Sequence, residues 1–265
     1  MNQVETVRKL NAMLLKEMPE CRVMYAKTNP DDYKEQRMLL RSLMNLRTPG
    51  PASQYFLDLQ DEFLKSESQE KGIADVNQIP VSQKENRLCI WQGDITRLNA
   101  DAIVNAANSA LLGCFIPCHR CIDNAIHSAA GIQLRNVCHE IIQYQKHEEP
   151  AGSAKITKGY NLPAKYVIHT VGPIIYDEVT AENKLMLASC YVSCLQVAAE
   201  KNLESIAFCC ISTGEFHFPQ DLAAEIAVDT VRTYLKQNPD TSLKKIIFNV
   251  FKDSDREIYE EILEG

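Results

Sequence analysis

From residue 88 onward, short apolar runs alternate with longer stretches of helical periodicity, and this alternation narrows the possible folds more than any other feature. Residues 88–92 and 102–104 read as strands, 121–146 as a helix and 165–170 as a strand. A helix at 184–201, a strand at 205–211, a helix at 222–236, a strand at 245–250 and a last helix at 254–263 complete the series. Strands alternating with helices predict a layered α/β domain, a mixed sheet with helices on both faces.

The first 70 residues have a different texture. Val4, Val7, Leu10, Met13 and Leu14 follow the helical period. Asp31 and Asp32 open a second helix carrying Met38, Leu39, Leu43 and Leu46, and Pro49, Gly50 and Pro51 break it. A third helix covers about 52–65, with Tyr55, Leu57, Leu59 and Phe63. Residues 66–84 are polar and read as irregular. The expected division is a helical extension at 1–70, a linker at 71–84 and the α/β domain at 85–265. The extension holds no catalytic constellation, and its expected role is packing on the main domain or forming a lid.

The net charge of −7 argues against wholesale binding of nucleic acid or anionic membranes. No run approaches the roughly 20 apolar residues of a membrane helix. Residues 1–20 lack the apolar core of a secretory signal, so the expected location is cytoplasmic. The chain has ten cysteines. Cys89, Cys190, Cys194, Cys209 and Cys210 lie in apolar segments and read as buried, inert thiols. Cys114, Cys118 and Cys121 are the exception, because they crowd around His119.

In open α/β sheets, ligands sit beyond the carboxyl ends of the strands. Three polar loops occupy those positions: Gly93, Asp94, Ile95 and Thr96; Asn105 to Asn108; and Ser212 to Pro219. Ser212, Thr213 and Gly214, after a strand and before a helix, suit a phosphate cradle, although ordinary turns use the same residues. Together with His169, Thr170, Val171, Gly172 and Pro173, these motifs occur in an order and spacing that resemble the macrodomain family of ADP-ribose-binding modules. The resemblance covers about residues 88–263 and implies a three-layer α/β/α fold. It implies that Asp94 accepts from the adenine amino group with Ile95 alongside. Asn105 and Asn108 would reach the distal ribose. Ser212, Thr213, Gly214, Glu215 and Phe216 would wrap the diphosphate. Asp94 also suits an N-cap, the asparagines suit turns, and Phe216 suits the core. Phe251 fits either an adenine pocket or core packing, and His169 reads as structural.

Where hydrolytic macrodomains carry a glycine-rich loop, this chain has Gly113, Cys114, Phe115, Ile116, Pro117, Cys118, His119, Arg120 and Cys121. Thiolates with a neutral imidazole suit Zn²⁺, and three ligands with an open fourth position are the catalytic pattern. Cys114, His119 and Cys121 are the expected ligands, since one short loop builds a strain-free four-ligand cage with difficulty. The loop also resembles that of the zinc-containing macrodomains, where the position of Cys118 is not recognised as a ligand. Asp123, at the start of the next helix, can position or activate water, or serve as a helix cap. His127, one turn on, reads as a satisfied, partly buried histidine.

The resemblance implies a zinc-dependent ADP-ribosylhydrolase that removes mono-ADP-ribose from Asp or Glu side chains, with Asn108 and Asp123 as catalytic residues. It further implies a lipoyl-carrier substrate similar to glycine cleavage H protein, and a functional link to a sirtuin-type ADP-ribosyltransferase. The alternatives are a non-catalytic ADP-ribose reader, an O-acyl-ADP-ribose deacylase and a structural zinc module.

Overall fold

A computed structural model describes residues 3–265; Met1 and Asn2, the start of the expected extension, lie outside the described residues. Helices α1 (Gln3–Glu17), α2 (Cys21–Met24), α3 (Tyr33–Leu46) and α4 (Gln54–Glu70) precede strands β1 (Leu88–Gln92) and β2 (Ala102–Ala106). Helices α5 (Ile122–Ala130) and α6 (Ile132–Gln145) lead to β3 (Ala154–Lys158) and β4 (Tyr166–Thr170). The chain ends with α7 (Ala181–Glu200), β5 (Ser205–Phe208), α8 (Gln220–Gln237), β6 (Lys245–Val250) and α9 (Asp253–Glu264).

Local chemistry sets the helix starts. Asp32 accepts from the Glu35 amide to cap α3, Ser53 accepts from Phe56 to cap α4, and Thr180 and Asn183 form a reciprocal capping box on α7. The sheet order is β1-β6-β5-β2-β4-β3, parallel except for β3 against β4. Helices cover both faces, giving the expected three-layer arrangement with its mixed sheet.

Three local expectations need correction. α4 runs through Glu70, so residues 66–70 are helical. The single helix expected at 121–146 is two, divided at Gly131. Gly131 has φ +97°, and a Cβ there would lie 2.7 Å from both Gln60 Nε2 and Gln133 Oε1. The edge strand β3 was not foreseen, because its half-buried pattern and two lysines lack an apolar run.

One hydrophobic core fills the space around the sheet. A second joins Leu10, Leu14, Leu40, Leu43 and Phe63 of the extension to Ile132 of α6. Polar contacts bind the two units. The Ile132 amide donates to Gln60 Oε1 (3.0 Å), and Asp61 Oδ1 accepts from Gln133 Nε2 (2.8 Å) and Asn161 Nδ2 (2.7 Å). Buried Arg135 donates from Nη1 to the carbonyls of Met44 (3.0 Å), Asn45 (2.8 Å) and Arg47 (2.6 Å), groups left open where α3 ends. The extension is thus expected to unfold with the sheet. Leu43→Ala, at a fully buried position, should cost about 2–5 kcal/mol and move the one urea transition reported by Trp91 of β1. An unmoved Trp91 transition would mean that the extension melts alone.

Candidate active site

The five parallel strands end at one edge, at Gln92, Val250, Phe208, Ala106 and Thr170. Neighbours β5 and β2 send their chains apart, toward α8 and α5, the switch in strand order beside which open α/β sheets place their ligands.

At the end of β2 lies a buried polar centre. Asn105 Nδ2 donates to Asp123 Oδ1 (2.8 Å) and points at His169 Nδ1 (3.2 Å). Since an amide NH₂ only donates, Nδ1 of His169 is the acceptor, and its Nε2–H faces Thr157 Oγ1 at 3.0 Å. Asn108 Nδ2 donates to Asp123 Oδ2 (3.3 Å) and to the Gly113 carbonyl (3.1 Å). Burial pushes the Asp123 carboxyl up to about 6, opposed by the Asn105 hydrogen bond and the Arg135 charge. The buried Asn105 Oδ1 and Ser212 Oγ have no hydrogen-bond partner among the described residues.

Beside this centre, Gly113 (φ +75°) starts the Cys/His loop; a Cβ there would press into the His127 ring at 2.9 Å. Cys114, His119 and Cys121 bring their ligand atoms within 4.8 Å of one another, with Cys114 Sγ 3.5 Å from His119 Nδ1. Tetrahedral Zn–S and Zn–N bonds require about 3.6 Å between such atoms, a spacing the Cys114–His119 pair meets, and two thiols with an imidazole are donors of the kind Zn²⁺ takes. Cys118 (φ +52°) does not join them. Its Sγ lies 3.3 Å from Ser42 Oγ and 3.5 Å from the Met38 carbonyl, on α3. Cys121 also caps α5, its sulfur accepting from the Asn124 amide at 3.4 Å.

The third loop closes on itself, with the Phe218 amide donating to the Ser212 carbonyl (2.9 Å) and the His217 amide to that of Gly214 (3.1 Å). Ser212 takes φ +66°, a strained conformation for a serine. Thr213 Oγ1 turns back to the Cys210 carbonyl at 3.0 Å, and the half-buried Phe216 accepts the Ile175 amide through its carbonyl (2.9 Å). Gly214 is exposed, and Glu215 Oε1 reaches to 3.6 Å from His119 Nε2. On the other flank, Asp94 Oδ1 accepts from the Thr96 amide (3.0 Å) and hydroxyl (2.7 Å), while Ile95 is buried. The N-cap reading of Asp94 therefore holds structurally.

Several single-residue readings change. Phe251 is 74% exposed, which removes the core-packing alternative. His127 is buried rather than partly so, and neither ring nitrogen has a hydrogen-bond partner among the described residues. Burial, then His169 and Arg135, hold it well below the usual histidine range. Arg135, Arg41 and Asn45 were missed as site residues. Arg135 was detectable as one charge among Ile132, Leu134 and Cys138 on the apolar face of α6; the other two left no signal.

Strand-end loops that bring a buried carboxylate beside a Cys/His cluster have the make-up of an α/β enzyme site. Residues 104–227 match the Macro domain family. A protein-ADP-ribose hydrolase of Treponema medium is 52% identical over 236 residues, covering 88% of this chain and 90% of that protein. A probable bifunctional ADP-ribose hydrolase/ADP-ribosyltransferase of Fusarium oxysporum is 41% identical over 241 residues, covering 85% of this chain and 40% of that longer protein. A Trypanosoma brucei macrodomain solved in complex with ADP-ribose superposes with a TM-score of 0.63 at 31% identity, over 84% of this chain and 94% of that one. The chain belongs to the Macro domain family and is a hydrolase. Among the described residues no helix is long and apolar enough to cross a membrane.

The polar centre also sets a pH dependence. Burial holds His169 down at about 4, below the 6.5 of a free histidine. The unfolded chain therefore binds the proton first as pH falls. The stability is complete above pH 6.5 and is lost as the pH drops from 6.5 toward 4, by on the order of 3 kcal/mol. Urea unfolding at pH 7.5 and 4.5 should give His169→Gln a smaller acid loss than the wild type. Equal losses would remove His169 from the account.

Proposed function

We propose that this protein hydrolyses the bond between ADP-ribose and an acidic side chain of a modified protein, with Zn²⁺ held by Cys114, His119 and Cys121. One observation carries the reading: Asn108 donates to both Asp123 and the Gly113 carbonyl, so the acid and the Cys/His loop share one side chain. When bound there, the ion would supply Lewis-acid chemistry.

The chain's own residues supply the rest. Ser212 to Phe216 wrap the diphosphate through backbone N–H groups, and Asp94 with Ile95 receives the adenine. The unpartnered Asn105 Oδ1 accepts a ribose hydroxyl, and Asn108 holds the ribose against Asp123. Asp123 takes a proton from the water that bonds to ribose C1″. The bond from C1″ to the acyl oxygen breaks, its electron pair leaving on the freed carboxylate. A carboxylate leaves readily, so positioning and modest electrostatic help suffice.

The names of the relatives support an enzyme over a reader. The Fusarium relative, named for both activities, supports pairing with an ADP-ribosyltransferase, whose sirtuin type rests on the sequence resemblance alone. A lipoyl-carrier protein as the modified substrate rests on the sequence resemblance alone.

The test measures ADP-ribose released from an Asp/Glu-mono-ADP-ribosylated protein. Chelation should abolish release and Zn²⁺ restore it, and Asp123→Asn should lower kcat by about 10²–10⁴-fold with a smaller change in KM. Release unaffected by chelation would refute the metal's role. Full release by Asp123→Asn would refute the acid's role.

A further inference from the structure

The Cys/His loop forms neither helix nor strand between Gly113 and Cys121, and its internal backbone bonding among the described residues is one contact, His119 N–H to the Ile116 carbonyl (3.2 Å). Such a segment cannot hold two thiols and an imidazole at ligand separations by itself. The missing support comes from α3, more than 70 residues earlier. Arg41 Nη2 donates to the carbonyl of His119 (3.0 Å), and Nη2 and Nε both donate to Asn124 Oδ1 (2.7 and 3.1 Å). That contact fixes which way the buried Asn124 amide points. Its Nδ2 is then directed to the Ile116 carbonyl (3.0 Å), while its backbone N–H meets Cys121 Sγ. Asn45 completes the hold: Oδ1 accepts the Cys118 amide (2.9 Å) and Nδ2 donates to Ser128 Oγ (3.0 Å).

From this geometry we infer that α3 is a working part of the site, with Arg41 a positioning residue that holds the Cys/His loop in its ligand-ready shape and Asn45 a second clamp. The inference rests on the Zn²⁺ reading above and assigns the helical extension a role in it. Arg41 touches no substrate atom in this scheme. It acts through the backbone of His119 and the side chain of Asn124, as outer partners orient metal ligands elsewhere. Ordinary helix docking would need no bond to the carbonyl of a candidate ligand residue. Here the clamped groups Ile116 O, Cys118 N–H and His119 O all fall between Cys114 and Cys121.

The experiment compares the full-length wild type with Arg41→Gln and Arg41→Lys, loading each with Zn²⁺ in competition with a chromophoric chelator. Amide exchange over residues 113–121 and thermal melting are followed on the metal-free proteins. Arg41→Gln should bind Zn²⁺ about 10–100-fold more weakly and exchange faster in the loop, at nearly unchanged melting temperature. Arg41→Lys, which keeps the charge but not the paired donors, should fall between. If Arg41→Gln fails to fold, Arg41→Lys carries the same comparison. A variant that matches a tightly binding wild type in affinity and exchange overturns the inference alone. A wild type that does not bind Zn²⁺ overturns the metal reading and the inference with it.

Discussion

The Arg135 guanidinium sits where three parts of the chain meet, and a cation so deeply placed has to be saturated with hydrogen bonds to be tolerated. It takes the three carbonyls at the end of α3, then the Leu112 carbonyl (2.6 Å) and that of Cys114 (3.5 Å) at the mouth of the Cys/His loop. Its carbon lies 4.3 Å from the Phe115 ring centroid. Burial lowers it to about 10, with Asp123 the first of the groups that pull it back up. One side chain therefore sets the extension against the domain, fixes where the loop begins, and lends its field to the acid. No other buried charge among the described residues joins the extension, the loop and the acid in this way. Removing it would leave four short-range acceptors without a donor, and unpaired buried groups cost more than the bonds themselves contribute.

The same scaffold accounts for the backbone conformations around the site. Leu111, Cys118, Ser212 and His217 all adopt positive φ without being glycine, and all four lie in loops that follow β2 or β5. Such conformations cost roughly 1–3 kcal/mol each and persist only where the surroundings over-determine them. At Cys118 the surroundings are identifiable. Asn45 holds the amide and Ser42 meets the thiol. At Ser212 the close approach of Gly172 does the same, since a Cβ on that glycine would fall 2.0 Å from Ser212 Oγ.

Sequence reading recovered those parts whose signal is local. The parallel strands hold short apolar runs, and Leu88–Gln92 at the sheet edge and the buried Lys245–Val250 fall where those runs lie. The strand-end motifs were legible because small polar residues interrupt the pattern at fixed places. The edge strand β3 was lost because one half-solvated face dilutes the alternation. The direction of Cys118 was unreadable for a different reason. Spacing placed it within the cluster, yet its left-handed backbone turns the sulfur toward α3, and side-chain direction follows φ and ψ rather than sequence distance. Arg41 and Asn45 were invisible because their partners lie more than 70 residues along the chain, and those in the loop itself, the His119 carbonyl and the Cys118 amide, are backbone groups that carry no residue identity to pair with.

The side-chain-rich loop and the helical extension are therefore two sides of one arrangement. A glycine-rich loop lies flat against a ligand and can bond it through its own amides. A loop of Cys, Pro and His brings side-chain chemistry but lacks that backbone freedom. The loop here keeps a single internal backbone bond, and the carbonyls of Cys114, Ile116 and His119 and the amide of Cys118 turn outward to Arg135, Asn124, Arg41 and Asn45. Two of those four partners lie in the extension, and the other two are themselves bonded to it. A chain with this loop and no α3 would have to find those partners in water, which holds no fixed geometry.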